Sequence, residues 1–162
     1  AEEKDARSVM ELRLLTSGQT HFMVRYPEEC RTNEDDMREV LRKTALSPTD
    51  FSVTAFDGDR VVGYLGVTQV RGLEKMRHRA SLGIAILSEY CSRGLGGAML
   101  DIAAEQARKN GLEQLELGVF SDNARAIHLY AKHGFIQCGI IPNAFKLRDG
   151  SYRNEILMIK RL

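Results

Sequence analysis

The chain has 162 residues, enough for one domain with one core spanning 1–162. It is 43% hydrophobic and 28% charged, and its 23 Lys and Arg nearly cancel 22 Asp and Glu. That balance excludes the basic excess expected of a nucleic-acid or anionic-membrane partner. No apolar run approaches the ~20 residues of a membrane span, and the start, Ala1-Glu2-Glu3-Lys4-Asp5, lacks a signal-peptide core.

Residues 4–16 place Ala6, Met10, Arg13 and Leu14 at helical spacing and predict a first helix. Thr32-Asn33-Glu34-Asp35-Asp36 then offers an N-cap. Met37, Val40, Leu41 and Thr44 recur at i, i+3, i+4, i+7 in a second helix, which Ser47-Pro48 ends. Segments 51–56 and 61–70 read as strands around the hairpin turn Asp57-Gly58-Asp59. Segment 79–87 reads as a third strand with Gly83 as a bulge. Leu95, Met99, Ile102, Ala103 and Gln106 form one helical stripe that stops at Asn110-Gly111. Leu115, Leu117 and Val119 alternate as in a strand. Segment 124–132 is helical up to His133-Gly134, and segments 135–141 and 155–161 close the chain as strands around Arg148-Asp149-Gly150. The order α-α-β-β-β-α-β-α-β-β is a mixed α/β (α+β) pattern.

Cys30, Cys91 and Cys138 are odd in number and lack CxxC spacing, which suits reduced thiols in a cytoplasmic protein. His21, His78, His128 and His133 form no i,i+4 pair, so no metal site is expected.

The segment Ser92-Arg93-Gly94-Leu95-Gly96-Gly97 lies between a predicted strand and a predicted helix. Glycines permit positive φ and close approach to a ligand, and a helix start offers unpaired N–H groups to phosphate. A Walker loop is excluded because no Lys-Ser or Lys-Thr follows. A dinucleotide loop is disfavoured because its third glycine would fall on Met99. A coenzyme A pyrophosphate loop fits, and a glycine-rich helix start without a ligand is the plain alternative.

A second block, Asn123-x-x-Ala126-x-x-Leu129-Tyr130-x-x-x-Gly134-Phe135, follows the next strand. Together with Cys91-Ser92-Arg93-Gly94-Leu95-Gly96 it resembles the GNAT (GCN5-related) N-acetyltransferases over nearly the whole chain. The resemblance implies a central, mostly antiparallel mixed sheet flanked by helices, with strands splayed around acetyl-CoA as cosubstrate. It also implies that Ile84, Ala85 and Ile86 pair with the pantetheine arm through free backbone. Ser92, Arg93, Gly94, Leu95, Gly96 and Gly97 would hold the pyrophosphate, Asn123 would bond the pantetheine, and Tyr130 would place its hydroxyl near the CoA sulfur.

Three positions depart from the family pattern. Cys91 stands where Gln or Arg is usual, the family's first strand is expected to be missing or truncated ahead of the first helix, and Gly118 stands where protein-terminus acetyltransferases carry a glutamate base. Some other group must then take the proton from an ammonium acceptor. Glu116, His78 and Glu29 are the candidates, with Tyr130 as the acid. The expected activity is direct acetyl transfer to a primary amine of a polyamine, amino acid, antibiotic or peptide. The alternatives are a sensor that binds acetyl-CoA or CoA without turnover, and a nucleotide-binding domain. A homodimer through Ile156, Met158 and Leu162 is a further expectation.

Overall fold

The computed structural model describes residues 1–162. Four helices, α1 (Ala6–Gln19), α2 (Glu34–Leu46), α3 (Leu95–Lys109) and α4 (Ala124–Lys132), accompany six strands. The strands are β1 (Phe51–Asp57), β2 (Arg60–Gln69), β3 (Arg79–Ile86), β4 (Gln114–Phe120), β5 (Ile136–Lys146) and β6 (Tyr152–Arg161). Local chemistry sets the boundaries. Asn33 caps α2 by accepting the Asp36 N–H at 2.8 Å, and Glu34, Asp35 and Asp36 oppose the helix dipole in the first turn. Asn123 caps α4 in the same way through the Ala126 N–H. Gly134, at φ +83°, stops α4 in a conformation that favours glycine.

The strands form one sheet in the order β1-β2-β3-β4-β6-β5. All neighbours run antiparallel except β3 and β4, which are parallel and pair only from Arg79–Gln114 to Ser81–Glu116. Beyond those three pairs β3 stays with β2 as far as Ile86, and β4 stays with β6 as far as Phe120. The two strands therefore part company, and a cleft opens between them. Both are followed by helices, α3 and α4, that start at the open end of this cleft.

Alternation along the strands feeds two cores. Leu65, Val67, Leu82, Leu115, Leu117, Val119 and Met158 meet α3 and Tyr130 on one face. Val62 and Tyr64 meet Val9, Leu12, Met37 and Leu41 of α1 and α2 on the other. Truncating a fully buried side chain such as Leu115 to Ala would cost about 2–5 kcal/mol.

Three expectations are corrected. Gly83 pairs in regular register with Gly66, so it is not a bulge. The nearest irregularity is in β1, between Ala55 and Phe56. The fifth strand runs on to Lys146, carrying Pro142 on an irregular stretch where Asn143 has φ +52° and its N–H bonds Asn154 Oδ1. Its position at the sheet edge makes the proline tolerable. Met158 is buried, so of the three residues expected at a dimer surface it offers nothing to a partner, while Ile156 and Leu162 pack against the same core and stay half-exposed. The exposed aliphatics of this region are Ile136, Ile140 and Ile141 on edge strand β5.

Candidate active site

The cleft is lined by main chain. In β3, the Leu87 N–H bonds Val62 O and Val70 N–H bonds Arg79 O. By the alternation of an antiparallel pair, odd-numbered residues of β3 therefore bond to β2, and Ile84 and Ile86 aim their N–H and C=O into the cleft. Ala85 spends its main chain on Tyr64 and can contribute only its side chain. The same reasoning applies to β4. Ser121 N–H bonds Asn154 O and Leu162 N–H bonds Glu113 O, so Gly118 and Phe120 turn their main chain towards β3.

At the open end, β3 leads through Ser88–Tyr90 into the glycine loop. Ser92 has φ +61° and Gly94 has φ +84°. This backbone path leaves six successive N–H groups, Ser92 to Gly97, that donate no hydrogen bond within the chain. The first main-chain bond of α3 is Ala98 N–H to Gly94 O. Six unpaired donors at the positive end of a 15-residue helix suit a phosphate group. The glycines divide the work. Gly94 sets the turn, with open space where a Cβ would lie. A Cβ on Gly96 would meet Leu129 at 3.0 Å and Ile86 at 3.4 Å, and one on Gly97 would meet His133 Nε2 at 2.7 Å. Gly96 and Gly97 thus allow α3 to pack closely on α4 and β3. The Cys91 thiol donates to the carbonyls of Leu87 and Ile86, and the Arg125 guanidinium lies 3.6 Å from its sulfur.

Asn123 uses Oδ1 for its cap and leaves its amide NH₂ without a partner in the chain. The Tyr130 ring is buried edge-on to Phe135, yet its hydroxyl makes no hydrogen bond. No fully buried side-chain polar atom lacks a partner, so the hydroxyl reaches solvent. Burial pushes the phenol up to about 12, which keeps it protonated at neutral pH.

The three expected proton acceptors are dispersed. Glu116 is gripped by the Arg79 guanidinium and by Gln114 at 2.8 Å. The Arg79 hydrogen bonds hold its carboxyl below the ordinary value, against partial burial that pushes the other way. His78 sits at the closed end of the cleft, where its carbonyl accepts the N–H groups of Glu113 and Gln114. Glu29 accepts the Tyr26 N–H at 2.8 Å within its own turn. Another carboxylate lies nearer the opening. A Cβ built on Gly118 would overlap the carboxylate of Glu155 from β6, which forms no ion pair or hydrogen bond. The signal for Glu155 in the sequence was indirect: a glycine inside a strand marks a close approach of something else.

The β4 side of the opening is also aromatic. Phe120 stacks on Phe145 with ring centroids 3.8 Å apart and meets Phe22 at 6.0 Å. Asp122 accepts from His21 at 3.1 Å and from Arg153 at 2.7 Å, which ties the segment after α1 to β6. Arg148 lies over the Tyr26 ring at 3.9 Å and pairs with Glu28, joining the β5–β6 turn to the loop before α2.

A mixed sheet split between parallel strands, with six unpaired main-chain donors at one end of the split, sets the class of this α/β protein. The chain belongs to the acetyltransferase (GNAT) family, whose family model matches residues 16–135. It is 36% identical over 110 residues to the L-amino acid N-acetyltransferase AaaT of Escherichia coli (strain K12), a match covering 67% of this chain and 65% of that relative's length. An acetyltransferase of the GNAT family from Streptococcus pneumoniae superposes with a TM-score of 0.95 at 30% identity, covering 100% of this chain and 96% of that one. The fold of yncA from Salmonella typhimurium, solved with acetyl-CoA, superposes with a TM-score of 0.86 at 19% identity, over 100% of this chain and 91% of that one.

Proposed function

We propose that this chain is an acetyl-CoA-dependent N-acetyltransferase that moves acetyl directly to a primary amine of a small molecule or peptide. One observation carries the reading: six unpaired N–H groups, Ser92 to Gly97, stand at the end of a cleft whose walls are unpaired strand backbone. An anion cradle alone suits any phosphate. A cradle continuous with a strand edge suits a phosphate attached to a long amide-bearing arm, which is the shape of coenzyme A.

Acetyl-CoA brings an activated thioester; the chain's residues bind it and manage protons. The loop donates to the pyrophosphate. Ile84 and Ile86 extend the sheet with the amides of the arm, and the free NH₂ of Asn123 donates to the same arm. The Tyr130 hydroxyl donates to the sulfur as negative charge develops on it. Burial keeps the phenol in its protonated form, so it can offer its O–H to the sulfur. Tyr130 therefore acts as a hydrogen-bond donor, and the thiolate takes its proton from water. Tyr130 and α3 share one face of the sheet, which leaves the α1/α2 face for the amine.

The reading is tested by thermal unfolding with acetyl-CoA. At ~100-fold above Kd, binding adds about 2.7 kcal/mol. That raises Tm by roughly 5–10 °C for a chain of this size. An unchanged Tm at saturating acetyl-CoA removes the proposal.

A further inference from the structure

We infer that Glu155 is the catalytic base: it binds the ammonium of the acceptor on the α1/α2 face of the cleft and takes its proton. The inference rests on the transferase reading and adds a residue to it. Three observations support the assignment.

The first is position. In the β4–β6 register Glu155 pairs with Phe120, and Gly118 with Leu157. Directly paired residues share a face, so Glu155, Phe120 and Gly118 all lie opposite the core that holds Leu117, Val119 and Tyr130. Gly118 is exposed and turns its main chain into the cleft. The Glu155 carboxylate lies over it, in the space a side chain at 118 would fill. That places the carboxylate at the lip of the split, across the sheet from Tyr130.

The second is availability. Glu116 is tied to Arg79 and Asp122 to Arg153 and His21, so both carboxylates already have cationic or hydrogen-bonding partners. Glu155 has none, although it is half-buried on a central stretch of β6. A half-buried carboxylate without a partner is poised for a cation that arrives from outside.

The third is the surrounding chemistry. Phe120 pairs with Glu155 across β4 and β6, stacks on Phe145 and meets Phe22, so an aromatic cluster begins beside the carboxylate. An apolar wall lowers the local dielectric and strengthens the attraction between a carboxylate and an ammonium.

The proton balance closes. The bound ammonium gives one proton to Glu155, directly or through one water, and becomes a neutral amine. The nitrogen lone pair attacks the thioester carbonyl, the C–N bond forms, and the C–S bond breaks with its electron pair on sulfur. The nitrogen loses its second proton to water as the amide forms, and the thiolate gains one from water. Glu155 returns its own proton to solvent, so one proton is released per turnover.

The test compares wild type, Glu155→Gln and Glu155→Asp with three probe amines: L-phenylalanine, spermidine and a peptide with an N-terminal alanine. Thiol release is followed with the amine that wild type turns over best. Glu155→Gln is expected to lower kcat/KM by about 10²–10³-fold at neutral pH. The deficit should narrow as the pH approaches ~10, where the amine is already neutral in solution. Glu155→Asp should keep an intermediate rate, and all three proteins should bind acetyl-CoA with the same Kd by calorimetry. A Glu155→Gln enzyme within a few-fold of wild type overturns the inference. So does a deficit of the same size at every pH, which would mark a merely structural role. If wild type releases no thiol with any of the three amines, the transferase reading itself falls, and that failure shows before any variant is made.

Discussion

The carboxylate of Glu155 on β6 occupies the volume that a side chain at Gly118 on β4 would need. Two adjacent strands thus share one space: the residue on β4 gives up its side chain, and the residue on β6 fills the gap. A glycine in a strand interior costs stability, so it needs a neighbour to explain it.

Gly118→Ala tests this directly. Its Cβ must push Glu155 aside, at a cost of about 1–3 kcal/mol. In a Glu155→Ala background the collision is gone, and the same change should cost much less or stabilise the strand. The measurement is a double-mutant cycle by chemical denaturation. Additive effects would mean that the two residues do not share the space.

The Glu116–Arg79 pair predicts a pH dependence of stability. The folded-state pKa of Glu116 is depressed. Its contribution is therefore present above the unfolded value near ~4.3 and is lost as the pH falls through the folded value. Glu116→Gln should destabilise at pH 7 by about 1.5–3 kcal/mol, the range for a hydrogen bond to a charged group. The difference from wild type should shrink below ~4, where the wild-type carboxyl becomes protonated. Urea midpoints at both pH values supply the check.

Much of this architecture is legible in the sequence, and the limits have physical causes. Helix α4 is predicted at its observed bounds because Asn123 caps it and Gly134 stops it, both local effects. The glycine loop is visible for the same reason. The split between β3 and β4 is not visible, because it depends on which strands run parallel and for how long. Gly83 looks like a bulge in isolation, but its pairing with Gly66 decides otherwise. Pro142 hides the length of β5, since an edge strand tolerates what a central one does not. Glu155 escapes a sequence reading because its meaning comes from Gly118, which is close only through the β4–β6 register.

Gly94→Ala and Gly150→Ala form a matched pair. Both glycines have φ above +80° and open space where a Cβ would lie, so each substitution should cost about 1–2 kcal/mol through the backbone alone. Only Gly94 shapes the six-donor loop. Acetyl-CoA affinity measured by calorimetry should fall for Gly94→Ala and stay unchanged for Gly150→Ala. Equal affinities for the two variants would separate the loop from the phosphates.

Tyr130→Phe keeps the buried ring, so stability should hardly change. The lost hydrogen bond to the departing thiolate should lower kcat by about 10- to 100-fold, matching 1.5–3 kcal/mol. The acetyl-CoA Kd should persist. A kcat within a few-fold of wild type in a folded variant would assign Tyr130 to packing alone.

The most direct measurement is amine-dependent release of free thiol from acetyl-CoA by the wild-type chain, with the acetylated amine identified by mass spectrometry. Thiol should appear in step with acetylated product, require both substrates, and saturate in each. Tight binding of acetyl-CoA with no thiol release across L-amino acids, polyamines and N-terminal peptides would contradict the transferase reading and leave a protein that binds the cosubstrate without using it.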